Sequence, residues 1–125
     1  MPCNNRLRIG LAAILLVGIV GETLAGGADV EDVSITKTGD NFRFDVTIRH
    51  ADTGWQHYAD KWEIVTKDGQ VLGTRILYHP HVNEQPFTRS LGGVKIPPDV
   101  RNVSIRAYDN RHGRGGKIRT ISVPH

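Results

Sequence analysis

The sequence predicts an all-β domain, a seven-stranded antiparallel sandwich that follows a cleavable N-terminal signal helix. Three observations carry that expectation. Phe42, Phe44, Val46 and Ile48 alternate with Arg43, Asp45, Thr47 and Arg49, the period of a strand with one buried face. The 14 glycines and 6 prolines punctuate the chain with turn signals about every 8–12 residues. Beyond the first 25 residues, no window shows helical periodicity. A chain of 125 residues and 13.8 kDa leaves room for one domain.

Residues 1–25 read as an export signal. Arg6 and Arg8 form a positive segment, Ile9 to Val20 is apolar, and Thr23-Leu24-Ala25 offers a small-residue cleavage site, with Ala28 as a second choice. The apolar run of about 12 residues is shorter than the roughly 20 needed to span a bilayer, so the expectation is cleavage and no stable membrane anchor. Cys3 precedes that run and is not placed for lipid attachment. Residues 26–125 then form the sandwich domain, exported to the periplasm or secreted, and free of cysteine. Its stability rests on a hydrophobic core without a disulfide.

Strands follow in order. Val30–Thr36 reaches the Phe42–Arg49 strand across Thr38-Gly39-Asp40-Asn41, a turn-forming segment. Lys61–Lys67 carries Trp62 and Ile64 inward, and Asp68-Gly69 turns it into Gln70–Tyr78. Phe87–Leu91 leads into the breaker-rich Gly92–Asp99. Asn102–Asp109 alternates through Val103, Ile105 and Ala107, and Lys117–Val123 closes the set after the loop Asn110–Gly116.

Composition excludes several functions. Sixteen basic and 13 acidic residues give a net charge of only +3 with no clustered basic stripe, which argues against nucleic acid as a partner. One Cys and one Met leave residues 26–125 without soft sulfur ligands. No nucleophile elbow, phosphate loop or dinucleotide fingerprint is present, and the small sandwich offers little concavity, so no enzymatic activity is expected.

Two resemblances add to this reading. Seven short strands in about 100 residues suit an immunoglobulin-like sandwich. The stretch Val103-Ser-Ile-Arg-Ala-Tyr-Asp-Asn-Arg-His-Gly-Arg-Gly-Gly116 resembles the penultimate strand and following loop of fibronectin type III domains, commonly V-x-V-R-A-x-N-x-x-G-x-G. The segments His57-Tyr-Ala-Asp-Lys-Trp-Glu63, Val71-Leu-Gly-Thr-Arg75 and His79-Pro-His81 through Glu84-Gln-Pro-Phe-Thr-Arg-Ser90 resemble a family of small, uncharacterised bacterial exported proteins. That resemblance implies a β-sandwich fold and a periplasmic address, and transfers no catalytic residue.

The histidines carry the functional signal. If successive strands alternate in direction, the loops holding His50 and His57, His79 and His81, and His112 all lie at one end of the sandwich. Strand phase carries His50, Asp60 and Asp109 inward at that rim, so His50 with one aspartate forms either a structural plug or a pair that orients a metal-bound imidazole. His79-Pro80-His81 places two imidazoles on one side of an extended segment, and His57 or His112 can supply a third. Such a set suits Cu(II), Zn(II) or Ni(II), whereas an ordinary turn would leave each ring bonded to backbone or water. Trp55, Tyr58, Glu84, Phe87 and Arg89 border the same end and form the expected binding surface for a protein or small ligand. The expectation is therefore a non-enzymatic exported binding module, with divalent copper or zinc binding as the alternative.

Overall fold

A computed structural model describes residues 26–125; the expected signal segment, with Cys3, lies outside the described residues. Eight strands form in chain order and no helix occurs among the described residues: β1 Asp29–Thr38, β2 Asn41–Arg49, β3 Ala59–Val65, β4 Val71–Ile76, β5 Phe87–Val94, β6 Asn102–Asp109, β7 Gly113–Arg114 and β8 Arg119–Ser122. The count is eight rather than the expected seven, and seven of the eight overlap expected segments. The eighth, β7, is a two-residue pairing inside the Asn110–Gly116 loop, too short to leave a period in the sequence.

The strands divide into two antiparallel sheets. One has the order β1-β2-β5; in the other β4, β3 and β6 lie side by side, with β7 and β8 both paired to β6. Their inward residues merge into one hydrophobic cluster. Phe42, Phe44, Val46, Ile48 and Phe87 from the first sheet meet Trp62, Ile64, Val103, Ile105 and Ala107 from the second. The alternation in β2 sets its two faces, since its four apolar residues are buried while Arg43 and Arg49 reach solvent. β3 departs from simple alternation because its outer face is also covered. Glu63 lies there, accepting hydrogen bonds from Arg106 Nε at 3.1 Å and Tyr108 OH at 2.8 Å. Burial alone would raise the Glu63 pKa, but these two donors, with Lys61 nearby, hold it below its usual value.

Register fixes which connections share an end. Ile48 pairs with Phe87, Ala59 with Asp109 and Lys61 with Ile76. The end of β2, the start of β3, the end of β4, the start of β5 and the end of β6 therefore lie at one pole. The start of β1 joins them, because Asp29 pairs with Arg49. At the other pole are the Thr38–Asn41 turn and the Asp68-Gly69 hairpin, where Gly69 takes a φ of +89° that side-chain-bearing residues rarely adopt.

The two sheets are also tied along their edge near residues 26–30. Val30 N–H donates to Lys117 O at 2.8 Å, and Lys117 N–H donates to Asp29 Oδ1 at 2.7 Å. This seam brings Gly116 so close to the Ala28 carbonyl that a Cβ there would overlap it. Gly116→Ala is therefore expected to destabilise the fold by about 1–3 kcal/mol, whereas Gly92→Ala, with open space around its Cβ position, should change stability far less. Urea denaturation of the two variants beside the parent checks the difference.

Candidate functional site

The inward phase of β2 does not stop at the end of the strand. It runs on through His50 to Asp52, and both side chains are buried at the pole. His50 Nδ1 and Asp52 Oδ1 are 2.5 Å apart, and Asp52 Oδ1 also accepts the backbone N–H of Ala59 at 3.1 Å. Its other oxygen accepts the backbone N–H of His81 at 2.7 Å. One carboxylate thus fastens the end of β2, the start of β3 and the loop before β5.

Asp109, the last inward residue of β6, supplies the second buried carboxylate. Its Oδ1 accepts the backbone N–H groups of Arg111, at 2.9 Å, and His112. Its Oδ2 faces three imidazoles at once: His50 Nε2 at 3.0 Å, His57 Nε2 at 3.2 Å and His112 Nδ1 at 3.1 Å. The His57 ring lies 4.7 Å from that of His50 and 4.8 Å from that of His112, edge-on in both cases. Exposure rises outward along this row, from 1% for the His50 side chain through 15% for His57 to 45% for His112.

Burial would raise the Asp109 pKa. The His112 backbone and ring donors, with the N–H groups of Arg111 and His57, outweigh that effect and hold the carboxyl far below the usual carboxylate range. His50 is the centre of the arrangement. Its Nδ1 faces Asp52, and its Nε2 faces both Asp109 and the Gly26 carbonyl at 3.1 Å. Each ring nitrogen thus faces at least one acceptor oxygen. His50, His57 and Asp109 each offer a ligand atom within 4.8 Å of the others.

His79 and His81 stand apart from this group, on the far side of Asp52. His81 is buried and stacks on Phe87 with ring centroids 4.0 Å apart and planes 10° from parallel. Neither of its ring nitrogens has a hydrogen-bond partner among the described residues. Burial, with Arg89 and His79 nearby, lowers the His81 pKa and favours the neutral ring. His79 is exposed, with its ring 4.7 Å from that of His81. The expected set of His79, His81 and His57 or His112 is therefore divided between two neighbourhoods. His125, the sixth histidine, lies at the opposite pole against Phe42 and the Val100 carbonyl.

Asp60 does not join His50. The pairing of β3 with β6 shifts register between Ala59 and Lys61, so the inward position falls to Ala59 and the phase extended back from Trp62 fails there. The Asp60 pKa is instead raised by burial. Asp52 takes the role expected of Asp60, and the continuing i, i+2 phase from Phe42 was the signal for it. Around the rim, Trp55 is 64% exposed and packs edge-on against Tyr58. Glu84 pairs with Arg89 at 3.0 Å, and the Arg89 guanidinium lies 5.6 Å from the centroid of Phe87.

No family model matches the chain. The chain is 38% identical over 97 residues to a protein of Halomicrobium mukohataei named "Putative lipoprotein", an overlap covering 77% of this chain and 47% of the relative. The chain thus spans about half the length of the relative it matches. Among solved structures, it is similar to the hypothetical protein PH1083 of Pyrococcus horikoshii OT3, with a TM-score of 0.53 and 13% identity over 80% of this chain and 91% of the other. It is also similar to a superoxide reductase in the oxidised state, with a TM-score of 0.50 and 13% identity over 79% and 90% of the two chains. At that identity the likeness is one of fold alone.

The ionised Asp109 contributes its full stability above the ordinary carboxylate value of about 4, and that contribution is lost as pH falls further. In chelator-containing buffer, Asp109→Asn should cost about 2 kcal/mol at pH 7 and flatten the decline of stability below pH 4. Denaturant midpoints measured from pH 7 to pH 2 test this; an unchanged acid limb would refute it.

Proposed function

We propose that this protein is an exported, non-enzymatic binding module with an immunoglobulin-like arrangement of its two sheets, and that its histidine pole holds a divalent transition-metal ion. One observation carries the metal reading: three imidazole nitrogens from two separate loops converge at 3.0–3.2 Å on one buried carboxylate oxygen. In a tetrahedral site with bonds of 2.0–2.1 Å, neighbouring donor atoms are about 3.3 Å apart, close to each of these nitrogen–oxygen separations, and His50, His57 and Asp109 offer donor atoms within 4.8 Å of one another. His50 Nε2, His57 Nε2, His112 Nδ1 and Asp109 Oδ2 are the proposed ligands.

Surrounding groups support the same reading. Asp52 at His50 Nδ1 supplies the carboxylate that fixes a ligating imidazole and raises its basicity. Nitrogen and oxygen donors without sulfur suit Zn(II) or Cu(II) rather than Cu(I). Two buried carboxylates surrounded by imidazoles rather than lysine or arginine also favour a cation among them. The exposed Trp55 with Tyr58, and Phe87 with the Glu84–Arg89 pair, form a rim able to meet a protein or small-molecule partner. Export is supported by the pattern of residues 1–25 and by the name of the Halomicrobium relative.

Calorimetric titration of the purified protein with Zn(II) and Cu(II) tests the centre. His57→Ala and His112→Ala should each weaken one saturable site at least about tenfold, and Asp52→Asn should weaken it by about 10–100-fold. Equal affinity in His57→Ala, His112→Ala and the parent would overturn the proposal.

A further inference from the structure

The loop between β4 and β5 holds a second arrangement that the first centre does not use. His81 is placed with unusual care for a residue outside a strand. Asp52 accepts its backbone N–H at 2.7 Å, Gln85 Nε2 donates to its carbonyl at 3.0 Å, and Phe87 stacks against its ring. Gln85 in turn accepts the backbone N–H of His50 at 2.9 Å, which ties the loop to the end of β2. Yet both nitrogens of this fixed ring are buried and unpartnered among the described residues. A buried donor or acceptor left without a partner destabilises a fold, and such groups are few in native proteins.

The surroundings offer what a metal ion would need. Two residues earlier, His79 brings its ring to a centroid distance of 4.7 Å. The His79 Nδ1–H donates to the Pro80 carbonyl at 3.1 Å, which leaves the lone pair on Nε2. Asp52 Oδ2 lies 4.0 Å from His81 Nδ1, too far for a hydrogen bond and equal to two metal–ligand bonds of about 2.0 Å placed end to end. An open cleft of about 370 Å³, lined by His79, Pro80, His81, Val82, Asn83 and Glu84, lies beside the pair.

We propose that His79 and His81 hold a second divalent ion, Cu(II), beside Asp52. Copper is selected because two imidazoles with water and carboxylate oxygen make a small donor set, and Cu(II) binds such nitrogen ligands most tightly among the divalent first-row ions. Asp52 then stands between two centres, one oxygen orienting His50 and the other facing His81. Metal at either position alters the charge that the other feels, so the two binding events are coupled. The two sites use different ligands, and each can fail without the other.

Cu(II) titration of the purified protein, read by calorimetry and by electron paramagnetic resonance, tests the assignment. The expected result is two equivalents per chain, falling to one in His79→Ala and in His81→Asn. In His57→Ala the His79–His81 equivalent should persist, with a spectrum showing nitrogen coordination. His79 is exposed, so His79→Ala keeps the test valid if His81→Asn disturbs folding. A single equivalent in the parent that His79→Ala leaves unchanged overturns this second site. A second equivalent that survives both His79→Ala and His81→Asn does so as well. A single equivalent in the parent that His79→Ala abolishes and that His57→Ala and His112→Ala leave unchanged would overturn the first centre and leave this one standing.

Discussion

The pole of this protein depends on one buried imidazole held between two buried carboxylates. His50 leaves the three-stranded sheet at the end of β2, Asp109 ends β6 of the five-stranded sheet, and their contact at 3.0 Å joins the two sheets at that end. Apolar packing between Phe44, Trp62 and Ile105 brings the sheets together, but hydrophobic contact is non-directional and does not specify where loops of 9 or 10 residues come to rest. The carboxylates do. The oxygens of Asp52 and Asp109 contact residues 57–59, His81 and residues 111–112, so three chain segments are fixed relative to His50.

Such a cluster is a costly way to close a two-sheet fold. Removing two carboxylates from water carries a desolvation penalty of several kcal/mol per ion, and well-packed apolar residues of similar volume often stabilise as much or more. The opposite pole illustrates the cheaper solution, closing with short turns and Val94, Ile96 and Val123. The contrast between the two ends points to a requirement for the polar one other than stability. It also separates site from scaffold: the solved structures of similar fold share only 13% of their residues with this chain, which accounts for the sheets and says nothing about the imidazoles.

Much of this was legible because antiparallel pairing is a strong constraint. Once β2 to β6 were placed, the histidine-bearing loops had to gather at one end, and the phase of β6 brought Asp109 into the core. Asp60 was misplaced for a local reason. A register shift of one residue at the start of β3 exchanges the faces, and no turn residue in Tyr58-Ala59-Asp60-Lys61 announces it. Asp52 is readable in the same way, because the i, i+2 phase from Phe42 runs through His50 to it. The separation of His79 and His81 from the other rings could not be read from spacing. It depends on the Phe87 stack and on Gln85, contacts that span loops rather than periods.

The order of exposure along the imidazoles gives the pole a direction. His112 meets solvent, His57 is mostly covered and His50 is enclosed, so an ion entering the proposed centre would meet the imidazoles one after another before it reached Asp109. Its hydration would then be exchanged stepwise for nitrogen donors, which avoids placing a bare cation in a low-dielectric interior. The two carboxylates lie at the inner end of that path, where their charge is least screened. An arrangement built only to plug the sandwich would need no such gradient, since a buried His50–Asp pair already satisfies the polar groups of the rim. The outer two imidazoles, aimed at an oxygen that His50 already contacts, exceed what a plug needs and fit the proposed metal centre.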